Sequence, residues 1–234
     1  FAIWMGVAYF LNRWSLEQDR TGDSSLIRRL QLLSGLGLVL YGGTVTFASI
    51  DWVMSLEPHW FSTIYGVLFM VGQVLTTLAF VIVVMRLLAD HKPLSDVIAP
   101  SHFHDLGNLL LAFVMLWAYI AFSQYLIIWS GNLPEEIPWY LHRTAGGWRW
   151  ISLFLIIFHF FIPFLLLLSR RTKRRAQVIS IVAGAMLFMR LVDLFWLVTP
   201  AFYQTGLRIH WMDLVAPIGI GGIWIATFIW QLKK

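Results

Sequence analysis

The sequence predicts an all-α, polytopic membrane protein: a transmembrane helix bundle with six full spans and one partial N-terminal span. Three observations predict it. First, the chain is 59% hydrophobic and 12% charged over 234 residues, whereas soluble domains run at roughly 45–50% apolar and about 25% charged. Second, the apolar residues fall in runs long enough to cross a bilayer, for which about 20 residues suffice. Third, the basic residues gather at the ends of those runs and alternate sides. The 13 tryptophans and an aromatic fraction of 16% suit many helix ends lying at lipid headgroups.

The elements follow in order. Phe1 to Leu11 is apolar but too short to span, and no basic segment precedes it, so it reads as the tail of a helix rather than a signal peptide. On that reading the chain is the C-terminal portion of a longer protein. Full spans are predicted at about Leu30 to Val53, Thr63 to Leu88, Leu106 to Trp129, Trp150 to Ser169, Gln177 to Thr199 and Trp211 to Leu232. Arg13, Arg20, Arg28 and Arg29 precede the first of these, and Arg86 and Lys92 stand at the end of the second and just beyond it. Arg170, Arg171, Lys173, Arg174 and Arg175 link the fourth to the fifth, and Lys233 and Lys234 end the chain. On the other side stand only Arg143, Arg149 and Arg208, and Arg190 lies inside a span. The alternation assigns the basic side, with the C-terminus, to the cytoplasm. The outward loop from Gly131 to Trp148 is the most elaborate, with Pro134, Pro138, Glu135, Glu136 and a Trp139–Tyr140 pair. Gly35 and Gly42 share a face of the first span, and Gly222 and Ala226 have small-xxx-small spacing in the last, so these positions are expected at close helix contacts.

Composition also excludes chemistry. With no cysteine, the chain forms no disulfide, thiolate-held cluster, covalently attached haem or cysteine-ligated zinc. The net charge of +5 resides at helix ends, which argues against nucleic acid. No phosphate-binding loop, catalytic triad or metal motif is present.

The informative residues are polar groups within the spans, where each charge costs on the order of 2.5–3.5 kcal/mol at mid-membrane. Arg190 and Asp193 are three apart and share a helix face. They read either as a packing pair or as part of a proton relay or quinone site. His159 precedes Pro163 by one turn, and proline cannot donate a bond to the His159 carbonyl, so a polar spot and a bend are expected there. Asp51, Glu57 and His59 stand near the outward surface, as a solvated rim or a site of proton exchange. His104 and Asp105, with His102, stand at the cytoplasmic start of the third span, as caps or as a proton-uptake cluster. Gln73, Thr76, Thr77, Ser123 and Gln124 line a hydrated path or bond neighbouring helices. Together these residues outline a candidate proton path, with no catalytic, cofactor-binding or metal-binding residue assigned.

Ser55-Leu56-Glu57-Pro58-His59-Trp60-Phe61-Ser62-Thr63-Ile64-Tyr65-Gly66 resembles a stretch of the membrane subunits of bacterial alternative complex III, a quinol:cytochrome c oxidoreductase. So does the segment from Phe103-His104-Asp105-Leu106-Gly107-Asn108 through Tyr119, Ser123-Gln124-Tyr125 and Trp129-Ser130-Gly131-Asn132 to Pro134-Glu135-Glu136. These subunits are relatives of the NrfD and polysulfide reductase membrane anchors. The likeness runs from about Leu30 onward and is nearer to the ActF-type than to the ActC-type subunits. It implies that residues 1–61 end a first helix bundle, residues 62–199 form a second four-helix bundle, and residues 200–234 carry a flanking helix. It also implies a subunit of the bacterial inner membrane with no cofactor of its own. Its expected partners are a multihaem cytochrome c, an iron–sulfur subunit, a paralogous NrfD-like membrane subunit and lipids, in a complex that oxidises menaquinol and passes electrons to a periplasmic acceptor. Two other readings compete: a secondary transporter, for which buried charge and helix-breaking residues also serve, and a purely structural anchor for redox subunits.

Overall fold

The computed structural model describes residues 1–92, 94–203 and 206–232. The predicted basic tail, Lys233 and Lys234, lies outside the described residues. Among those described there is no strand, and six helices are long and apolar enough to cross a membrane. The chain is an all-α, polytopic bundle.

Helix α1 (Ala2–Thr21) runs well past the predicted end at Leu11. Nothing between Asn12 and Thr21 breaks a helix, so it continues as a polar extension until Gly22. That glycine adopts φ +67°, and its N–H bonds the Gln18 carbonyl. Asp23 then caps α2 (Ser24–Trp52) by accepting from the Ser25 N–H at 2.8 Å. The two helices pair, with the Trp4 indole donating to Thr44 Oγ1 at 2.7 Å. A 3-10 turn (Met54–Leu56) and a loop lead into α3 (Tyr65–Leu88). A second 3-10 turn (Leu94–Asp96) precedes α4 (Pro100–Gly131), which begins earlier than predicted because Pro100 opens its first turn, where no amide hydrogen is needed. Asn132, at φ +50°, ends it.

The elaborate loop holds a short helix, α5 (Ile137–Thr144), opened by Pro138. The next span is α6 (Trp148–Leu155), a π-helical turn (Ile156–Phe161) and α7 (Ile162–Leu168) in direct succession. Just before Pro163, where a bend is expected from the sequence, the helix takes a π turn: the Ile162 N–H bonds the Ile157 carbonyl, five residues back. A five-residue helix, α8 (Arg170–Arg174), turns the chain into α9 (Ala176–Val198), which ends in a 3-10 turn (Thr199–Ala201). The last helix, α10 (Trp211–Leu232), occupies the predicted residues.

Helix α3 is central and packs against α2, α4 and α9, while α4 packs against α7, α8 and α9. Two apolar clusters fill the interior. One, toward the basic end, joins Leu75, Ile82, Leu110, Val114, Ile179 and Met186. The other, toward the α5 end, joins Val45, Trp60, Tyr65, Leu68, Trp139 and Leu197. By contrast α10 has no buried residue; Trp224 and Phe228 meet the bundle through Phe80, at ring separations of 4.8 and 5.1 Å. Within this chain Gly42 faces Met70, whereas Gly35 and Gly222 face open space, so only the first serves as a helix contact here. The outward faces of α2 and α10 are apolar, as befits helices whose solvent is lipid.

Candidate functional site: buried polar groups along the bundle

The centre of the bundle holds three ionisable side chains. Arg190 and Asp193, on one face of α9, form a salt bridge, and both are 2–3% exposed. His159 is fully buried in the π turn, its ring 4.1 Å from that of Trp117. Among the described residues neither imidazole nitrogen makes a well-formed hydrogen bond. Its polar surroundings are the Met189 backbone and the Arg190 and Asp193 charges. Room for the guanidinium comes from Gly72 on α3, where an added Cβ would overlap the Arg190 head group. A glycine, an arginine and a bridging carboxylate thus interlock α3 with α9.

A second ion pair closes the α5 end. Arg143, 1% exposed, donates to Glu57 Oε1 at 2.8 Å, to the Leu197 carbonyl at 2.8 Å and to the Trp139 carbonyl at 3.1 Å. Its guanidinium carbon lies 3.7 Å from the Trp139 ring centre, and Trp139 stacks on Trp60 at 4.6 Å. Burial pushes the Arg143 pKa below its ordinary value, and the bond to Glu57 acts against that. Tyr65, 1% exposed, lies within electrostatic reach of both ion pairs. Asp51 and His59, predicted for this end, are exposed and outside the Glu57–Arg143 contact.

The basic end carries a smaller network. His104 Nδ1 lies 3.3 Å from Asp105 Oδ1 and 3.4 Å from Asn108 Nδ2, and Lys173 donates to Asn108 Oδ1 at 2.6 Å. Lys173 is 6% exposed although it belongs to the basic run of α8. His102 caps α4, its Nδ1 accepting from the Ala99 N–H at 3.0 Å, while Asp105 is exposed. Between this network and Arg190 lies the apolar layer of Leu75, Leu110, Val114, Ile179 and Met186.

The predicted lining residues divide. Gln124 is buried, accepts from Ser62 Oγ at 3.3 Å and donates to the Tyr140 hydroxyl at 3.4 Å; Ser123 is half-buried beside it on α4. Burial raises the Tyr140 pKa to about 12, partly offset by the Gln124 bond. Gln73 is exposed and accepts from the Tyr41 hydroxyl of α2. Thr76 and Thr77 bond the Gly72 and Gln73 carbonyls of their own helix. The structure therefore joins His159, Arg190 and Asp193 into one group and seats Glu57 in a second.

Several participants were not singled out as site residues from the sequence: Arg143 and Lys173, counted only as loop cations, and Tyr65, Asn108 and Gly72. The signal for Arg143 was the spacing Trp139-x-x-x-Arg143 after Pro138, which stacks a cation on an indole once a helix forms. Among the described residues no group of three or more His, Asp or Glu side chains is placed to hold a metal ion.

A cleft of about 870 Å³ opens on the flank of this site, between α4 and the α6–α7 span. Its walls are mainly aromatic and aliphatic, with Gln124, Tyr140 and Thr144 grouped near the α5 end. Asp193 and Ser152 also reach it, but Asp193 is held by Arg190, and Ser152 donates to the Arg143 carbonyl and accepts from the Trp196 indole.

Fold and site define an integral membrane protein with buried charge in its interior. Compared with known proteins, the chain matches no family model and no curated protein.

Proposed function

We propose that this chain is a membrane subunit of a menaquinol-oxidising complex of the alternative complex III kind, and that its buried polar groups provide a proton path. The observation that carries the reading is the Arg190–Asp193–His159 group, three ionisable side chains at the centre of an apolar bundle. Well-packed apolar residues would hold the helices together at lower cost, and ionisable groups inside membrane helices mark ion or proton pathways. The resemblance of Ser55 to Gly66 and of Phe103 to Glu136 to stretches of alternative complex III membrane subunits is what favours this choice of complex.

On this reading protons are taken up at the His104–Asn108–Lys173 network and cross the apolar layer along water that enters it. They reach His159 and Asp193 and leave past Tyr65 and Glu57 toward the α5 end. Arg190 and Arg143 hold the two carboxylates in place. On the resemblance, electrons pass through partner subunits, a multihaem cytochrome c and an iron–sulfur protein, seated beside a paralogous membrane subunit; the lack of cysteine in this chain is consistent with that. On this reading the chain lies in a bacterial inner membrane with its C-terminus on the cytoplasmic side, and the alternation of basic loops in the sequence supports that orientation.

The test is proton release per quinol oxidised by the intact complex in liposomes. Asp193→Asn and His159→Ala should each lower that ratio while quinol oxidation continues. An unchanged ratio in both would sink the path. A second reading, a structural seat for the redox subunits, is favoured by the Glu57–Arg143–Trp139–Trp60 assembly, which stiffens the end where a partner would dock. Exchanging Arg190 and Asp193 separates the two: a complex that assembles normally but uncouples proton from electron flow contradicts a purely structural role.

A further inference from the structure

We infer that the cleft between α4 and the α6–α7 span is a lipid site: one acyl chain of a glycerolipid fills it, with the lipid's ester carbonyl accepting the Tyr140 hydroxyl. The inference stands on the membrane-spanning fold and is independent of the respiratory reading.

The first argument is depth. The α4 wall runs from Met115 to Tyr125, which at 1.5 Å per residue is about 15 Å, half of a hydrocarbon layer about 30 Å thick. The cleft is therefore as long as one leaflet. Its volume of about 870 Å³ is that of an ordinary ligand cleft, roughly 300–1,000 Å³. Ala118 and Ala121 supply the room on α4, and Phe160 and Phe164 form the opposite wall.

The second argument is polarity. The deep end, at Met115 and Phe164, is apolar, while Gln124, Tyr140 and Thr144 stand at the end where α4 stops and α5 begins. A glycerolipid has the same gradient, hydrocarbon at mid-membrane and ester groups at the interface. Of the polar lining groups, Asp193, Ser152 and Thr144 already bond within the protein. The Tyr140 oxygen accepts from Gln124, which leaves its own hydrogen to donate.

The third argument is access. Tyr119, Phe122 and Tyr125, on the rim of the cleft, are exposed on the lipid-facing surface, so a chain can enter sideways from the bilayer.

The experiment is native mass spectrometry of the protein with its partners, extracted from its own membrane and washed with lipid-free detergent, followed by re-addition of phosphatidylethanolamine. The wild type should retain one glycerolipid per chain. Ala121→Phe, which narrows the cleft, should lower retention at least about tenfold. Tyr140→Phe, which removes the donor to the ester together with the acceptor of buried Gln124, should weaken re-binding about three- to tenfold, read at a temperature where the variant is still folded. No retained glycerolipid, equal retention in wild type and Tyr140→Phe, or an isoprenoid quinone in the cleft instead would each overturn the inference.

Discussion

The Glu57–Arg143 pair allows a worked prediction. Replacing Arg143 with Met removes three donors at once: those to Glu57, to the Leu197 carbonyl and to the Trp139 carbonyl. It also removes a cation 3.7 Å from the Trp139 ring centre. Breaking one side of a buried pair costs roughly 3–5 kcal/mol, because the other charge is left without compensation. The Glu57 side chain keeps 15% of its surface exposed, so water takes back part of that loss and the lower bound, about 3 kcal/mol, applies. Glu57→Gln keeps a carbonyl oxygen for Arg143 to bond and should cost about 1–2 kcal/mol. In the double variant both charges are gone, and the coupling energy should be about 2 kcal/mol. The assay is equilibrium unfolding in mixed detergent micelles read by tryptophan fluorescence, since Trp139 and Trp196 flank the guanidinium. Because Arg143 is buried, salt should leave the coupling nearly unchanged. A coupling below about 0.5 kcal/mol, the value of an exposed pair, would refute the claim that this contact holds α5 to the bundle.

Three further outcomes are expected. Gly72→Ala should destabilise the bundle by about 1–3 kcal/mol through overpacking, and much less in an Arg190→Ala background, because the guanidinium that fills the notch is then absent; a thermodynamic cycle in the same micelles checks this. Asn108→Leu, which leaves buried Lys173 without its acceptor, should cost about 1.5–3 kcal/mol, whereas Asn108→Leu with Lys173→Met should be near neutral by the same assay. Tyr140, raised from 10.0 to about 12 in the folded protein, contributes stability that is fully present below pH 10 and is lost as pH rises through 12. A stability–pH profile for Tyr140→Phe should therefore lack part of the alkaline fall seen in the wild type.

The fold was legible because the bilayer leaves few options. A run such as Trp211–Leu232 is long and apolar enough to be a span, and the structure makes it helical throughout. Helix α1 overran its apolar stretch because hydropathy marks where lipid would begin, whereas the helix itself stops only at a breaker, here Gly22. The Arg190–Asp193 pair was readable because its partners are three apart on one helix. The Glu57–Arg143 pair was not, because 86 positions separate its partners and α5 must form before they meet. Lys173 was hidden for the opposite reason. It sits among exposed cations, and only the turn of α8 against α4 carries it inside to Asn108. Gly72 gave no signal of its own, since its importance lies in the arginine opposite.

The most direct test of the central claim is mass spectrometry with haem staining of the assembly purified from native membranes through this chain. A membrane subunit of a menaquinol-oxidising complex should bring with it a multihaem cytochrome c, an iron–sulfur protein and a paralogous membrane subunit in fixed proportion. A chain that purifies alone, or with no redox partner, would contradict the account and put substrate transport first.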